Sequence, residues 1–174
     1  GPTWRYGVRF EEFAAARLPA LLRYAVLLSG DRELAGDLVQ EVLTRALLRW
    51  RRISRVEEPY AYVRTMVTNE YLSLRRRRKL PTVPLTYEAL DGPQAPSLAD
   101  PATGVGERAE LWRQLIGLPR QQRAVIVLRY YENLSDPEIA EVLGCRPSTV
   151  RSNASRALAT LRLELTELST SEGK

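Results

Sequence analysis

The sequence predicts an all-α protein of two small helical domains joined by a proline-rich flexible linker. Three observations carry that prediction. Apolar residues recur at spacings of three and four along both halves of the 174-residue chain, the mark of helices with one buried face. No segment alternates apolar and polar residues as a half-buried strand would. Between the halves, residues 81–104 hold five of the eleven prolines (Pro81, Pro84, Pro93, Pro96, Pro101), with Gly92 and Gly104. Proline removes a backbone donor and biases the residue before it away from helix. The expected division is a first domain over residues 8–80, a linker over 81–105 and a second domain over 106–168. Each half is small, so each core must be modest.

The elements follow in order. Phe10, Phe13, Ala14, Leu18, Leu21, Leu22, Ala25 and Leu28 form the stripe of a first helix, which Ser29-Gly30 should stop and Pro19 should bend. Asp31 suits the N-cap of a second helix with Leu34, Leu38, Val42, Ala46 and Leu47 as its buried stripe. Arg51 to Glu58 reads as a polar connection, and Pro59 fits the first turn of a third helix. Tyr62, Val63, Met66, Val67, Tyr71 and Leu74 are its apolar positions, and it leads into Arg75-Arg76-Arg77-Arg78-Lys79. In the second half, helices are expected over Glu107–Ile116 and Arg120–Tyr131. A short one is capped by Ser135 or Asp136, with Pro137 in its first turn, and a long one covers Ser148–Leu168.

Composition excludes several chemistries. The chain has no histidine, so a Ser-His-Asp triad, an HExxH zinc site and a histidine general base are impossible. Cys145 is the single cysteine, so there is neither an intrachain disulfide nor a cysteine-rich zinc site. A lone thiol is compatible with a reducing cytoplasm. No apolar run approaches a membrane span, and no secretory signal opens the sequence. Gly1-Pro2 reads as the scar of a cleaved tag. No catalytic group, metal or cofactor is expected.

The net charge of +5 is uneven. Residues 1–80 carry 16 basic and 9 acidic side chains, whereas residues 81–106 carry three acidic and no basic ones. Much of the excess is the run at residues 75–79. Such a run suits a polyanion, either nucleic acid or anionic lipid, or else a solvated helix C-terminus.

The sharpest local signal is Glu138-Ile-Ala-Glu-Val-Leu-Gly-Cys-Arg-Pro-Ser-Thr-Val-Arg-Ser152, which has the layout of a helix-turn-helix. Ala140 is small where two helices cross, Gly144 sits where the turn needs a positive φ, and Val150 plugs the core from the second helix. With Val150 inward, Ala154, Ala157, Leu158 and Leu161 share its side. Ser148, Ser152, Ser155 and Ala159 face outward between Arg151 and Arg156, and no acidic residue lies between Ser148 and Arg162. Small hydroxyls flanked by arginines suit a helix in a DNA major groove; the other reading is an exposed helix of a bundle.

The first half offers two faces. Asp37, Gln40, Glu41, Thr44, Arg45 and Leu48 form a mixed-charge surface on the second helix, either a solvent face or a docking surface for a partner helix. The third helix interleaves Tyr60, Tyr62, Arg64, Asn69 and Tyr71 before the arginines, with Trp50 just ahead of it. Aromatic rings beside cations make a stacking platform for unpaired bases. Tyr62 and Tyr71 are the better core candidates, Trp50 and Tyr60 the better exposed ones.

Four segments in order carry a resemblance. They are Asp37-Leu-Val-Gln-Glu-Val-Leu-Thr-Arg-Ala46; Tyr62-Val-Arg-Thr-Met-Val-Thr-Asn69 leading into Arg75–Arg78; Leu118-Pro-Arg-Gln-Gln-Arg123 with Leu128-Arg-Tyr130; and Glu138-Ile-Ala through Gly144 and Thr149-Val-Arg-Ser152 to Arg156-Ala-Leu158. Together, over about residues 8 to 168, they resemble an extracytoplasmic-function (ECF) sigma factor of bacterial RNA polymerase, closest to the actinobacterial SigE-like group. The resemblance implies sigma region 2 in the first domain and region 4 in the second, with no further domain after Leu168. It places Asp37, Leu38, Gln40, Glu41, Thr44 and Arg45 against the polymerase β′ clamp helices. It gives Trp50, Tyr60, Arg64, Asn69, Arg75 and Arg76 to the −10 element. Arg146, Ser148, Thr149, Arg151, Ser152, Ser155 and Arg156 fall to the −35 element. It also implies promoter DNA and RNA polymerase core as partners, an anti-sigma factor as inhibitor, and a cytoplasmic location. Ser73 stands where many relatives carry an acid, and Arg51–Glu58 is the least typical stretch of the first domain.

The function this implies is promoter recognition and opening, not enzymatic turnover. The alternative is a two-domain helix-turn-helix regulator that binds duplex DNA and never docks on polymerase. A nucleic-acid-processing enzyme would need clustered carboxylates for metal ions, and no acidic set here resembles one. A membrane-surface role for the arginine run lacks an amphipathic face beside it.

Overall fold

A computed structural model describes the backbone of residues 8–77 and 105–171, and the side chains of residues 8–73 and 110–162. The proline-rich linker and the side chains of the arginine run lie outside the described residues. The chain forms two units, one on either side of the linker, each with its own core. All the regular structure among the described residues is helical.

In the first unit, α1 (Phe10–Ser29) carries Glu11 and Glu12 in its first turn, where carboxylates complement the helix dipole. It runs through Pro19, whose ring cannot donate to the preceding turn. It ends where sequence placed the stop: Gly30 takes φ 70° and donates its N–H to the Val26 carbonyl at 2.8 Å. A left-handed residue here favours glycine. Asp31 then caps α2 (Arg32–Leu48), its carboxylate accepting from the N–H groups of Glu33 and Leu34. A one-turn helix, α3 (Trp50–Ile53), precedes α4 (Pro59–Arg77).

α2 packs on both α1 and α4. Leu21, Tyr24 and Leu28 of α1 meet Leu38, Val42 and Ala46 of α2 and Val63, Val67 and Tyr71 of α4 in the buried core. Each large side chain buried there contributes about 1.5–3 kcal/mol. A buried polar bridge crosses it. The Thr68 hydroxyl donates to the Arg64 carbonyl at 2.9 Å, which leaves its oxygen to accept from the Tyr24 hydroxyl at 2.6 Å.

Several expectations for the packing of this unit need correction. Leu47 is half exposed rather than part of the buried stripe, and Leu18 is also exposed. Both line a surface groove between α1 and α2. The Arg51–Glu58 connection is not wholly polar, because its helical turn drives Ile53 fully into the core. Tyr62 is half-buried, while Tyr71 is core as expected.

The second unit holds α5 (Val105–Gly117), α6 (Arg120–Ile126), α7 (Asp136–Leu143) and α8 (Pro147–Ser171). α5, α6 and α7 all pack on α8. α6 widens into a π-helical turn over Val127–Tyr131, where the Glu132 N–H reaches the Val127 carbonyl at 3.1 Å. Asn133 takes φ 56°, a left-handed value that Asn tolerates better than most residues. A full capping box, Ser135 with Glu138, opens α7 beside Pro137. Trp112, Leu128, Ile139, Ala140, Val150, Ala154 and Ala157 make the core.

Candidate nucleic-acid interface and partner face

The helix-turn-helix is built as its sequence spacing requires. Gly144 ends α7 at φ 65°, and an added Cβ there would meet nothing within 4 Å. Backbone conformation, not close packing, selects glycine at that turn. Pro147 begins α8, and Val150, one turn in, is fully buried. That anchor fixes the rotation of α8, so Ser148, Thr149, Arg151, Ser152, Ser155 and Arg156 are all exposed, as is Arg146 in the turn. Leu158 is half-buried at the border. Ala154, Ala157 and Leu161 point inward with Val150, as expected.

Beside this strip is a polar cleft of about 340 Å³ lined by Arg129, Asp136, Arg151, Ser155, Leu158 and Arg162. Arg129 from the π-helical turn forms an ion pair with Asp136 at the start of α7. The hydrogen bond to Asp136 pushes the Arg129 guanidinium above its ordinary pKa. The sequence reading gave no role to Arg129 or Arg162, which line this cleft. Arg162 was findable, since it continues the acid-free basic helix; Arg129 was not, because only the crossing of α6 and α8 brings it to Arg151. Cys145, in the turn, is half-buried, and burial raises its thiol pKa, which disfavours the reactive thiolate.

The α2 face is different in chemistry. Asp37, Gln40, Glu41 and Thr44 are exposed, and Glu33, one turn earlier, extends the acidic row. Leu38 does not belong to this surface: only 1% of it is exposed, because it points into the core toward α1 and α4. Arg45 lies at the edge, bonded to Glu41 at 3.1 Å on its own helix and to Glu70 of α4 at 2.9 Å. Next to the row is an apolar groove of about 350 Å³. Phe10, Leu18 and Leu22 of α1 and Leu43 and Leu47 of α2 wall it, with Gln40 and Thr44 among its lining. Leu48, at the end of α2, is 82% exposed.

The residues expected at the −10 element are not assembled into one open platform. The Trp50 indole packs against Phe10 and Phe13, with ring centroids 5.5 and 4.8 Å away, and donates its N–H to the Val8 carbonyl at 2.8 Å. It holds the start of α1 rather than offering a free face. Arg64 is 7% exposed, so it is no surface contact. Its guanidinium lies 5.6 Å from the Tyr60 ring centroid, and Arg17 of α1 lies 4.9 Å from the same ring. Tyr60 is thus half-buried among cations. Asn69 is exposed; the side chains of Arg75 and Arg76 lie outside the described residues.

Among the described residues, no three His, Cys, Asp or Glu side chains converge as a metal site would require, and no helix is long and apolar enough to cross a membrane.

Known proteins share the sequence pattern and the fold. A family model for sigma-70 region 2 matches residues 13–80, and one for sigma-70 region 4 matches residues 108–161. The RNA polymerase sigma-E factor of Streptomyces coelicolor is 40% identical over 158 residues, which span 91% of this chain and 86% of that protein. The ECF RNA polymerase sigma factor SigL of Mycobacterium tuberculosis is 33% identical over 160 residues, spanning 91% and 88%. Among solved structures, the sigma factor RpoE in complex with the anti-sigma factor NepR from Bartonella quintana has a TM-score of 0.70 at 24% identity, covering 90% of this chain and 96% of that one. CnrH in complex with the cytosolic domain of CnrY has a TM-score of 0.61 at 23% identity, covering 91% and 88%. The structural likenesses establish the fold. The identities over nearly the whole length, with both regions matched in order, show that the chain belongs to the extracytoplasmic-function sigma factors of RNA polymerase.

Proposed function

We propose that this sigma factor docks on RNA polymerase core through the exposed face of α2, reads the −35 element with α8, and engages the −10 element from α4. The observation that carries the reading is the division of labour between two exposed strips. One is acidic with an apolar groove beside it, and suits a protein partner. The other is free of acids and rich in small hydroxyls and arginines, and suits duplex DNA.

Asp37, Gln40, Glu41 and Thr44 make the docking contacts, with Leu43 and Leu47 supplying apolar area. On α8, Arg146, Arg151 and Arg156 reach phosphates or guanine edges, while Ser148, Thr149, Ser152 and Ser155 allow close approach. Arg162 extends the cationic surface around Arg151, while Arg129 is paired with Asp136 in the same cleft. On α4, Asn69 faces unpaired bases, with Arg75 and Arg76 for the backbone. Unstacking a base costs a few kcal/mol, and its capture offsets that cost. Opening is therefore driven by binding energy, with no covalent step and no cofactor, in the cytoplasm.

Two solved structures with this fold were each captured with a partner chain, RpoE with the anti-sigma factor NepR and CnrH with the cytosolic domain of CnrY. We infer that an anti-sigma factor holds this chain too, covering the α2 face and its groove. The test is a pull-down with purified core RNA polymerase. Wild type should be retained, and an Asp37→Arg/Glu41→Arg variant, still helical by circular dichroism, should be lost. Normal retention of that variant would refute the docking face.

A further inference from the structure

α2 presents a row of side chains four residues apart, Glu33, Asp37, Glu41 and Arg45. The first three are exposed carboxylates; the fourth is a cation. Arg45 has a local reason to be there, since it lies in the last turn of α2, where the helix dipole favours positive charge. That same charge opposes an acidic docking face, because at 3.1 Å it is close enough to cancel Glu41. Glu70 resolves the conflict. It comes from α4, its side chain is only 12% exposed, and it meets the other branch of the Arg45 guanidinium at 2.9 Å. The guanidinium fork can take two carboxylates at once, one from each side. With Glu70 in place the edge of the row is neutral and the carboxylate charge of Glu33, Asp37 and Glu41 is undiminished. Without it, Arg45 cancels one of the three.

We propose that Glu70 is a positioning residue for polymerase binding: across the α2–α4 packing it neutralises Arg45, so that the docking row shows its full negative charge to a cationic partner surface. The inference rests on the docking reading of α2. It also ties that face to α4, where Asn69 precedes Glu70 in sequence.

The experiment is stopped-flow association of the full chain with RNA polymerase core at low and high ionic strength. Four proteins are compared: wild type, Glu70→Gln, Arg45→Met and the double variant. Gln keeps the shape and a hydrogen-bond acceptor, so the fold is retained and circular dichroism checks this. Glu70→Gln should slow association about two- to threefold at low salt, the Boltzmann factor for one unit charge some 7 Å from a partner charge in water. The difference should vanish at high salt, where such charges are screened. Arg45→Met should associate at least as fast as wild type. The double variant, which restores the row's net charge, should return to the wild-type rate.

An unchanged rate for Glu70→Gln at low salt overturns the proposal. So does a double variant slower than either single one, which would mark the pair as a structural clamp. The Asp37→Arg/Glu41→Arg variant separates the two levels. If it still binds core, the docking reading falls and this inference with it; if it is lost while Glu70→Gln is unaffected, only this inference falls.

Discussion

The α8 strip and the α2–α4 face differ in how their exposed surfaces arise. α8 is anchored along one side by Val150, Ala154, Ala157 and Leu161, and everything opposite is exposed. A single buried direction and the helical period are then enough to assign the surface. α2 is packed from two directions, by α1 and by α4. There Leu38 turns inward beside exposed Asp37, Leu47 turns outward from a stripe expected to be buried, and Arg45 is paired with a carboxylate 25 positions later. Surface chemistry is local on the first helix and collective on the second.

The largest effect that would sharpen this contrast lies within α2. Leu38→Ala should destabilise the first unit by about 2–5 kcal/mol, the usual cost of truncating a buried leucine. Asp37→Ala next to it should change stability by no more than about 0.5 kcal/mol, as exposed substitutions do. Urea denaturation of both variants measures the difference, and similar midpoints would break the assignment of Leu38 to the core.

On α8, Arg151→Ala should weaken −35 duplex binding by about 1–3 kcal/mol if it contacts a base, or lower the salt slope of binding by about one if it contacts a phosphate. Fluorescence anisotropy titrations at several salt concentrations separate these. Unchanged affinity and slope would remove Arg151 from the interface.

The smallest effect concerns the turn that aims α8. Gly144→Ala should cost about 1–2 kcal/mol, the penalty for a side chain in the left-handed region. The space around an added Cβ is open, so no packing clash adds to it. Thermal melting with an Asn variant in parallel would show this, since Asn visits that region more readily. An Ala variant as stable as wild type would mean the turn can relax without glycine.

Much was legible in the sequence because the physics involved is local. Asp31 and Ser135 as caps, Gly30 and Gly144 as left-handed stops, Pro59 at a helix start and the outward serines of α8 each depend on a few neighbouring residues. Trp50 and Arg64 were misread for the complementary reason. Aromatic and cationic residues are amphipathic, and whether a ring or a guanidinium stays available depends on what packs over it. Phe10 and Phe13 claim Trp50 from another helix, and Arg64 is buried against the helix-start residue Tyr60.

By itself, then, the sequence determined the long helices, most of their ends, the two-part organisation and the acid-free strip along α8. Tertiary structure alone decided that Leu18 and Leu47 line an open groove, that Ile53 is core, that Arg129 stands beside Arg151 and that Glu70 neutralises Arg45. The reason is range. Capping, turn geometry and helical periodicity act within a turn or two of the chain, whereas burial and ion pairing are settled by whichever distant segment the packed helices bring alongside.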